Sequence, residues 1–180
     1  MRLVGKRIIL RLPKISDARS ITKHANNKAI YRYTTRIPYP YQVNHARAFI
    51  KDIKNKMRKN QNLSFVIEFK GDVIGMISLD KIEKQHMRAE LGFWLGKEYW
   101  KHGFVSESLL LILDHGFNNL KLHRIYAKVF KPNKASSKLL KRAGFKKEGL
   151  MRKNFSKDGK YLDTVLYSML KNEFRKKLIH

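Results

Sequence analysis

The stretch from residue 89 to residue 109 reads AELGFWLGKEYWKHGFVSESL. It begins with a strand-like apolar run and leads into an apolar run with helical spacing. The loop between them contains Gly103, two basic residues and a serine suited to capping a helix. A loop that opens a helix exposes backbone N–H groups without intrahelical partners, and the helix dipole adds partial positive charge there. The pattern therefore predicts an anion-binding loop between a strand and a helix, with phosphate as the preferred ligand.

The residues before this stretch predict a strand, helices and a hairpin. Residues 7–14 alternate like a strand, and residues 16–27 follow as a helix capped by Ser16 or Asp17. The aromatic, proline-containing residues 30–42 are typical of a loop or a broken helix. A basic amphipathic helix runs from about Val43 to Lys59. Residues 63–70 and 73–82 then form a hairpin around a Gly71-Asp72 turn.

The residues after the stretch continue the alternation. Apolar residues at helical spacing mark the buried face of a helix: Val105, Leu109, Ile112, Leu113, Gly116, Phe117 and Leu120. Residues 123–131 predict a strand, and residues 133–144 a short helix that ends at Gly144. A Lys157-Asp158-Gly159 turn joins two final strands. The order is mixed α/β, and a chain of 180 residues fits one domain, residues 1–180.

The charge of the chain is its least ordinary property. It has 40 Lys and Arg against 14 Asp and Glu, a net charge of +26, well beyond what solubility requires. Residues 121–160 contain only two acids, Glu148 and Asp158. Either an acidic or RNA-associated partner attracts this surface, or the lysines only decorate solvated faces.

Several classes of site are disfavoured by composition. The chain lacks cysteine, which excludes disulfides and thiolate metal sites and suits a reducing cytoplasm. None of the seven histidines has HExxH-type spacing, so no metal is expected. No window approaches the ~20 apolar residues of a membrane span. We expect a soluble cytoplasmic protein without a membrane partner, as a monomer or a homodimer.

Three blocks in this order and spacing resemble the GCN5-related N-acetyltransferases (GNAT family), in the RimJ/RimL branch that acetylates ribosomal protein N-termini. The blocks are residues 89–109, HRIYAKVFKPNKASSKLLKRAGFKKEG at 123–149 and KDGKYLDTVLYSML at 157–170. The resemblance implies a splayed mixed sheet of six or seven strands, flanked by about four helices. It also implies that acetyl-CoA lies in the splay, with no metal.

The same resemblance assigns the cofactor-binding residues. The pyrophosphate would be wrapped by backbone N–H groups of one loop, whose residues are Lys101, His102, Gly103, Phe104, Val105 and Ser106. The splayed strand would offer Phe93, Trp94 and Leu95 to the thioester and the pantetheine arm. The family usually has a second small residue at position 105, where this chain has valine. Trp94 and Trp100 could stack on substrate, although a tryptophan on a central strand is more often part of a core.

The thiolate that leaves must receive a proton. Other members of the family use a tyrosine at the position of Leu140, whereas this chain matches the Asn-x-x-Ser variant with Asn133 and Ser136. Ser136 is then the candidate donor to the sulfur, and Asn133 anchors the pantetheine chain or a water. Alternatively, Asn133 caps a helix and Ser136 completes a capping box, and the two roles can coexist.

The general base is Glu90 if strand alternation points it into the splay, although a solvated or salt-bridged glutamate fits the pattern nearly as well. Some relatives carry a base in the loop before the last strand, where this chain has Phe155. An α-amine has a reference pKa near 7.7–8.0, against ~10.4 for lysine, so it needs less help from a base. The missing carboxylate therefore favours an N-terminal α-amine as acceptor.

The resemblance places the acceptor between two aromatic and basic segments. One contains Tyr31, Tyr33, Tyr39 and Tyr41, and the other runs from Phe155 to Tyr161. A polyamine would be repelled there, whereas a ribosomal protein on RNA would be attracted. The leading interpretation is an acetyl-CoA-dependent protein Nα-acetyltransferase. The alternatives are acetylation of a small anionic amine, such as a nucleotide-linked amino sugar, and a non-catalytic nucleic-acid-binding module.

Overall fold

The computed structural model describes residues 1–175, so residues 176–180 of the predicted domain lie outside the described residues. It contains one mixed sheet of eight strands in the order β1-β2-β3-β4-β5-β6-β8-β7. The strands are β1 Arg2–Val4, β2 Ile9–Arg11, β3 Asn62–Phe69, β4 Asp72–Glu83, β5 Arg88–Leu95, β6 Arg124–Phe130, β7 Lys146–Lys157 and β8 Lys160–Leu170. The helices are α1 Ala18–Ala25, α2 Lys28–Tyr33, α3 Val43–Arg58, α4 Phe104–Asp114 and α5 Lys134–Arg142.

The predicted fold class is confirmed, with one more strand and one more helix than expected. The additional strand is β1, which precedes the predicted first strand, β2, and pairs with it as a short hairpin. The additional helix is α2, within the segment predicted as a loop or broken helix. The Asn27 side chain caps it by accepting from the N–H of Ala29, and it ends where Thr34 becomes extended.

The sheet splits between β5 and β6, which form the parallel pair of the sheet. Their register runs from Arg88 opposite Arg124 to Glu90 opposite Tyr126 and then stops. The rest of β5 stays paired only with β4, and the rest of β6 only with β8. The splayed sheet predicted from the sequence is therefore present, and it opens directly after Glu90.

Each face of the sheet carries its own hydrophobic core. One face packs on α4 and α5 and includes Leu91 and Leu109. The other packs on α1 and α3, where Ile50 and Ile53 are almost fully buried and Trp94 joins their edge. Burying an isoleucine or leucine side chain stabilises the fold by about 1.5–3 kcal/mol, so the two cores hold the helices in place on either side of the splay.

Three details of the local predictions are wrong. The α-helix predicted to continue to Leu120 ends at Asp114 and changes into a π-helical turn, His115–Asn119. An added Cβ at Gly116 in this turn would lie 2.8 Å from Ile125 Cδ1, so glycine lets the turn approach β6 closely. The turn of the β3–β4 hairpin is Lys70-Gly71, because Phe69 pairs with Asp72 and both turn residues have positive φ.

The third detail is the cap of α1. Asp17 stands at the N-cap, but its side chain makes no cap bond to the helix, and Ser16 lies within the preceding turn. The Asp17 carboxylate instead accepts two bonds from Arg11, at 2.8 and 2.9 Å, and one from the N–H of Lys14. Burial raises the pKa of Asp17, and these bonds outweigh that effect, so the net pKa is lowered. An ion pair thus replaces the predicted cap.

Candidate active site

A deep cleft begins where β5 and β6 separate. Its volume is about 1700 Å³, and it runs between the two cores of the sheet. One end is lined by the loop before α4 and by the first turns of α4 and α5. The other end is lined by the segment after α2, by β3 and β4 and by Phe155. A cleft of this form can hold a long cofactor and an acceptor that meet at the splay.

The loop before α4 has the geometry of an anion site. Lys101 and Gly103 both have left-handed backbones, with φ of 66° and 79°. Helix α4 starts at Phe104, and none of the side chains of residues 1–175 caps it. The first N–H groups of the helix are therefore available to a ligand in the cleft. Of the predicted loop residues, all except His102 line the cleft.

Arg7 braces this loop and was missed by sequence reasoning. Its Nη1 donates to the His102 carbonyl at 2.8 Å, and its guanidinium lies 4.7 Å from the centre of the Phe104 ring. Its Nε donates to Glu107 at 3.0 Å, and Glu107 also accepts the N–H groups of Arg7 and Ile8. Burial raises the pKa of Glu107, but these bonds outweigh that effect and the net pKa is lowered. The N-terminal hairpin thus fixes the conformation of the loop.

Asn133 and Ser136 lie together at the start of α5. Asn133 Oδ1 accepts from the N–H of Ser136 at 3.1 Å, so asparagine is the cap of this helix. The N–H of Asn133 donates to Phe130, which means that the reciprocal half of a capping box is absent. Ser136 Oγ has no hydrogen-bond partner among residues 1–175 and lines the cleft. The capping role uses the backbone of Ser136 and leaves its hydroxyl available.

The splayed part of β5 contributes Phe93, Trp94 and Leu95, and all three line the cleft. Trp94 also packs against the core under α1 and α3, so its ring contributes both to this core and to the lining of the cleft. Trp100 Nε1 donates to the Leu95 carbonyl at 2.8 Å, which ties the following loop back to the strand. Leu140, at the position of the family's tyrosine, is fully buried. Ser136 is thus the hydroxyl that this helix turn presents.

Glu90 lies at the fork of the sheet and is salt-bridged. Its Oε2 lies 2.9 Å from Lys81 Nζ and 3.6 Å from Lys128 Nζ, and its side chain is 18% exposed. The Glu90 carboxylate raises the pKa of Lys81, despite the opposing effect of burial, although Glu90 Oε2 accepts no hydrogen bond of good geometry from residues 1–175. Glu90 lines the cleft and is also salt-bridged, so both features that the sequence offered as alternatives are present, and its role as base stays a prediction.

The aromatic residues predicted at the acceptor end divide into two groups. Tyr33, Tyr41 and Phe155 line the cleft, and burial raises the pKa of Tyr41 to about 12. Tyr31, Tyr39 and Tyr161 do not line it. Tyr39 contacts Tyr31 outside the cleft, and Tyr161 is 69% exposed.

Tyr31 instead joins a latch, formed by Tyr31, Thr34, Lys157 and Asp158, between the end of α2 and the β7–β8 turn. Lys157 Nζ donates to the carbonyl of Thr34 at 2.6 Å and to that of Tyr31, and it lies 3.7 Å from the centre of the Tyr31 ring. The Tyr31 hydroxyl donates to Asp158. Burial lowers the pKa of Lys157. The two segments predicted to flank the acceptor are therefore joined to each other.

A second set missed by sequence reasoning is a polar network at the acceptor end. Asp80 accepts from Ser78 Oγ at 3.0 Å and from Asn62 Nδ2, and Ser64 Oγ donates to Asn62 Oδ1 at 2.8 Å. Asn62 and Ser64 are 4% and 2% exposed. The available signal was polar residues two apart on both strands of an otherwise apolar hairpin, which places all four on one face.

The geometry of the cleft agrees with comparisons to known proteins. Residues 7–146 match the acetyltransferase (GNAT) domain. The chain belongs to this family. It is 33% identical to the uncharacterized N-acetyltransferase p20 of Bacillus licheniformis over 174 residues, which are 96% of this chain and 97% of p20.

Two further members illustrate the range of acceptors. The spermidine N(1)-acetyltransferase of Escherichia coli is 27% identical over 158 residues, 88% of this chain and 83% of that enzyme. The solved structure of RimL, a ribosomal alpha-N-protein acetyltransferase in complex with coenzyme A, superposes with a TM-score of 0.88 at 20% identity. That match covers 94% of this chain and 98% of RimL and shows a shared fold.

The predicted family and enzyme class are confirmed: this GNAT protein is an acetyl-CoA-dependent N-acetyltransferase. Within residues 1–175, no three His, Cys, Asp or Glu side chains form a group that could hold a metal ion. Helices long and apolar enough to cross a membrane are also absent from this part of the chain.

Proposed function

We propose that this GNAT protein transfers the acetyl group of acetyl-CoA to the α-amine of a protein N-terminus. The observation that carries the proposal is the state of Glu90, the carboxylate at the fork, which two lysines already neutralise. Position 155, where some relatives carry a base, holds a phenylalanine whose ring centre lies 5.7 Å from the ring centre of Phe130. Since neither Glu90 nor position 155 offers a free base, an acceptor that is partly neutral at pH 7 is favoured, and an α-amine has a reference pKa ~2.5 units below that of lysine.

The cofactor end of the cleft supplies the acetyl group. The uncapped N–H groups at Phe104, Val105 and Ser106 would hold the pyrophosphate, with Lys101 beside them. The unpaired edge of β5 from Leu91 to Leu95 would align the pantetheine arm and the thioester. Ser136, with its free hydroxyl, would donate a proton to the departing sulfur.

The acceptor end of the cleft favours a protein as acceptor over a polycation such as spermidine. The latch between α2 and the β7–β8 turn includes Thr34, which lines the cleft, and the two strands joined by that turn carry the exposed Lys153 and Lys160. A chain of net charge +26 repels spermidine at long range and attracts a protein that is bound to RNA. The sequence relationship to a spermidine acetyltransferase makes the polyamine the second candidate.

The test measures acetyl-CoA-dependent thiol release against three kinds of acceptor. These are a peptide with a free N-terminus and no lysine, the same peptide with a blocked N-terminus and one internal lysine, and spermidine; a nucleotide-linked amino sugar extends the panel. We expect kcat/KM for the free N-terminus to exceed the other values by at least about 100-fold, in line with the amine pKa difference. A preference for spermidine or the amino sugar would contradict the proposal. Acetyl-CoA binding without turnover of any acceptor would instead indicate a non-catalytic module.

A further inference from the structure

We propose that Asp80 is the carboxylate that binds the acceptor amine as its ammonium ion and accepts its proton. The inference rests on the proposed acetylation of an amine in this cleft. It assigns the role to a residue on β4 rather than to Glu90 on β5. Three features of the structure support it: the way Asp80 is held, the space beside it and its counter-charge.

Asp80 is held in a fixed orientation at the wall of the cleft. It lies directly opposite Glu90 in the β4–β5 ladder, where the sheet splits. Its two oxygens are each bound by one neighbour, Oδ1 by Asn62 and Oδ2 by Ser78. Each carboxylate oxygen can accept two bonds, so both oxygens of Asp80 retain capacity for a ligand. The buried Ser64 in turn orients Asn62.

The space beside Asp80 exists because Gly92 lacks a side chain. Gly92 pairs with Ser78 across the ladder, on the face that Asp80 occupies. An added Cβ at Gly92 would lie 3.4 Å from Asp80 Oδ2 and 3.3 Å from Ser78 Oγ. The backbone of Gly92 does not have positive φ, so its conformation does not require glycine. The glycine therefore leaves a small opening between the carboxylate and the splayed residues 93–95, where the thioester is expected.

The counter-charges of the two carboxylates differ. Lys81 and Lys128 surround Glu90, whereas Asp80 faces Arg36, whose Nη1 lies 3.6 Å from Asp80 Oδ1. The Arg36 side chain is 50% exposed and belongs to the segment between α2 and α3. An exposed cation at this distance is held weakly, so it neutralises Asp80 only in part. Arg36 lies beside Oδ1, which leaves Oδ2, the oxygen that faces the Gly92 opening, for the ammonium group of the acceptor.

Asp80 removes one proton from the ammonium group, and the nitrogen lone pair forms a C–N bond with the acetyl carbonyl carbon. The C–S bond breaks, and the thiolate receives a proton from the Ser136 hydroxyl. The second proton of the amine returns through water to Ser136, and the proton on Asp80 leaves to solvent. The products are the acetylated amine, coenzyme A as a thiol and one proton.

The first experiment compares Asp80→Asn with Asp52→Asn in the full chain. Asp52 is an exposed acid on α3 that pairs with Lys56 and does not line the cleft, which makes it a matched control. We expect Asp80→Asn to lower kcat/KM for the acceptor by about 100-fold or more, while the Kd for acetyl-CoA changes less than about twofold. Asp52→Asn should change neither value.

A pH profile distinguishes this role from a structural one. If Asp80 takes the proton, the acid limb of kcat/KM should change in Asp80→Asn, because the group that titrates there is lost. Arg36, Lys81, Glu90, Lys128 and Tyr126 face or neighbour the same site, so Glu90→Gln is measured in parallel. The acid limb of kcat/KM should change in Asp80→Asn and stay unchanged in Glu90→Gln.

Gly92→Ala is the second variant and keeps Asp80 intact. The added methyl group fills the opening without backbone strain, so the KM for the acceptor should rise by about tenfold or more while acetyl-CoA binds normally. This variant decides the question if Asp80→Asn fails to fold.

The assays use both the free N-terminal peptide and spermidine, so that the two proposals can fail separately. A preference for spermidine contradicts α-amine acetylation. The role of Asp80 is then tested by comparing kcat/KM for spermidine between Asp80→Asn and the unaltered enzyme. Asp80 is excluded if kcat/KM for the better acceptor stays within about threefold in Asp80→Asn, if the acid limb is unchanged there, or if the enzyme acetylates neither amine.

Discussion

The two ends of the cleft are built from different chemistry. The cofactor end presents backbone N–H groups from one contiguous loop, residues 101–106, and the start of α5. The acceptor end presents side chains from segments distant in the chain, among them Arg36, Asp80 and Phe155. Backbone groups do not depend on residue type, which is why Val105 can replace the family's small residue without loss of a donor. The acceptor end depends on each side chain, so specificity is expected to reside there.

The first prediction concerns the cofactor end and has the largest expected effect. Gly103→Asp places a carboxylate beside the expected pyrophosphate, and like charges at close range cost several kcal/mol. We expect the Kd for acetyl-CoA to rise by about 100-fold or more, as measured by calorimetry, with the fold retained.

Gly103→Asn is the matched control, because asparagine has the same shape and also tolerates a left-handed backbone. An added Cβ here would meet only the end of the Arg7 side chain, at 3.2 Å. Asparagine should therefore weaken binding much less than aspartate. Equal losses for both variants would attribute the effect to the backbone, and an unchanged affinity in Gly103→Asp would refute the anion loop.

The second prediction concerns the meeting point of the two ends. Ser136→Ala should lower kcat by roughly 10 to 10⁴-fold and leave the Kd for acetyl-CoA nearly unchanged, as for the loss of a proton donor. The cap at Asn133 uses the N–H of residue 136, so alanine preserves it. Ser137→Ala, one position further along α5, is the control and should retain activity. A Ser136→Ala enzyme with full turnover would leave that residue without a chemical role.

Asn133→Ala separates stability from chemistry at the same place. Loss of the cap should lower the free energy of unfolding by about 1 kcal/mol, measured by denaturant titration. Its effect on stability should exceed that of Ser136→Ala. The reverse order would mean that the Ser136 hydroxyl serves the fold.

The third prediction, on the acceptor end, has the smallest effect. If the basic surface attracts the acceptor, kcat/KM should fall as salt shortens the Debye length from ~10 Å at 0.1 M to ~3 Å at 1 M. Replacing the exposed Lys153 and Lys160 by glutamine should reproduce part of this loss at low salt. Saturating acetyl-CoA is required, because its phosphates respond to the same screening.

Lys51 of α3 and Lys59, which directly follows that helix, provide the control pair for glutamine substitution, because both are exposed and neither lines the cleft. Lys157 is not equivalent to these lysines, since its ammonium group forms the latch to α2. Lys157→Gln should therefore lower stability as well as activity. A cationic acceptor would show kcat/KM rising with salt. A flat salt response would mean that the charge does not recruit the acceptor.

Much of the cofactor end could be predicted because its signals are local. The strand, the glycine loop and the helix start lie within residues 89–109, and the cap at Asn133 is set by residues three apart. Errors arose where tertiary contacts overrode local preference. Asp17 pairs with Arg11 instead of capping α1, and α4 changes into a π-turn where Gly116 meets β6.

Local patterns of residues were enough to predict the family, the alternating α/β order and a loop with exposed helix N–H groups, because repeating patterns and backbone donors are local properties. The side chains that line the end of the cleft proposed for the acceptor follow instead from tertiary contacts. Arg7 contacts Glu107 across 100 residues, and Lys157 contacts Tyr31 across 126. Asp80 becomes a candidate only when the β3–β4–β5 ladder places it beside Gly92 and opposite Glu90. Such contacts depend on how strands pair and helices pack, and no short stretch of sequence encodes them.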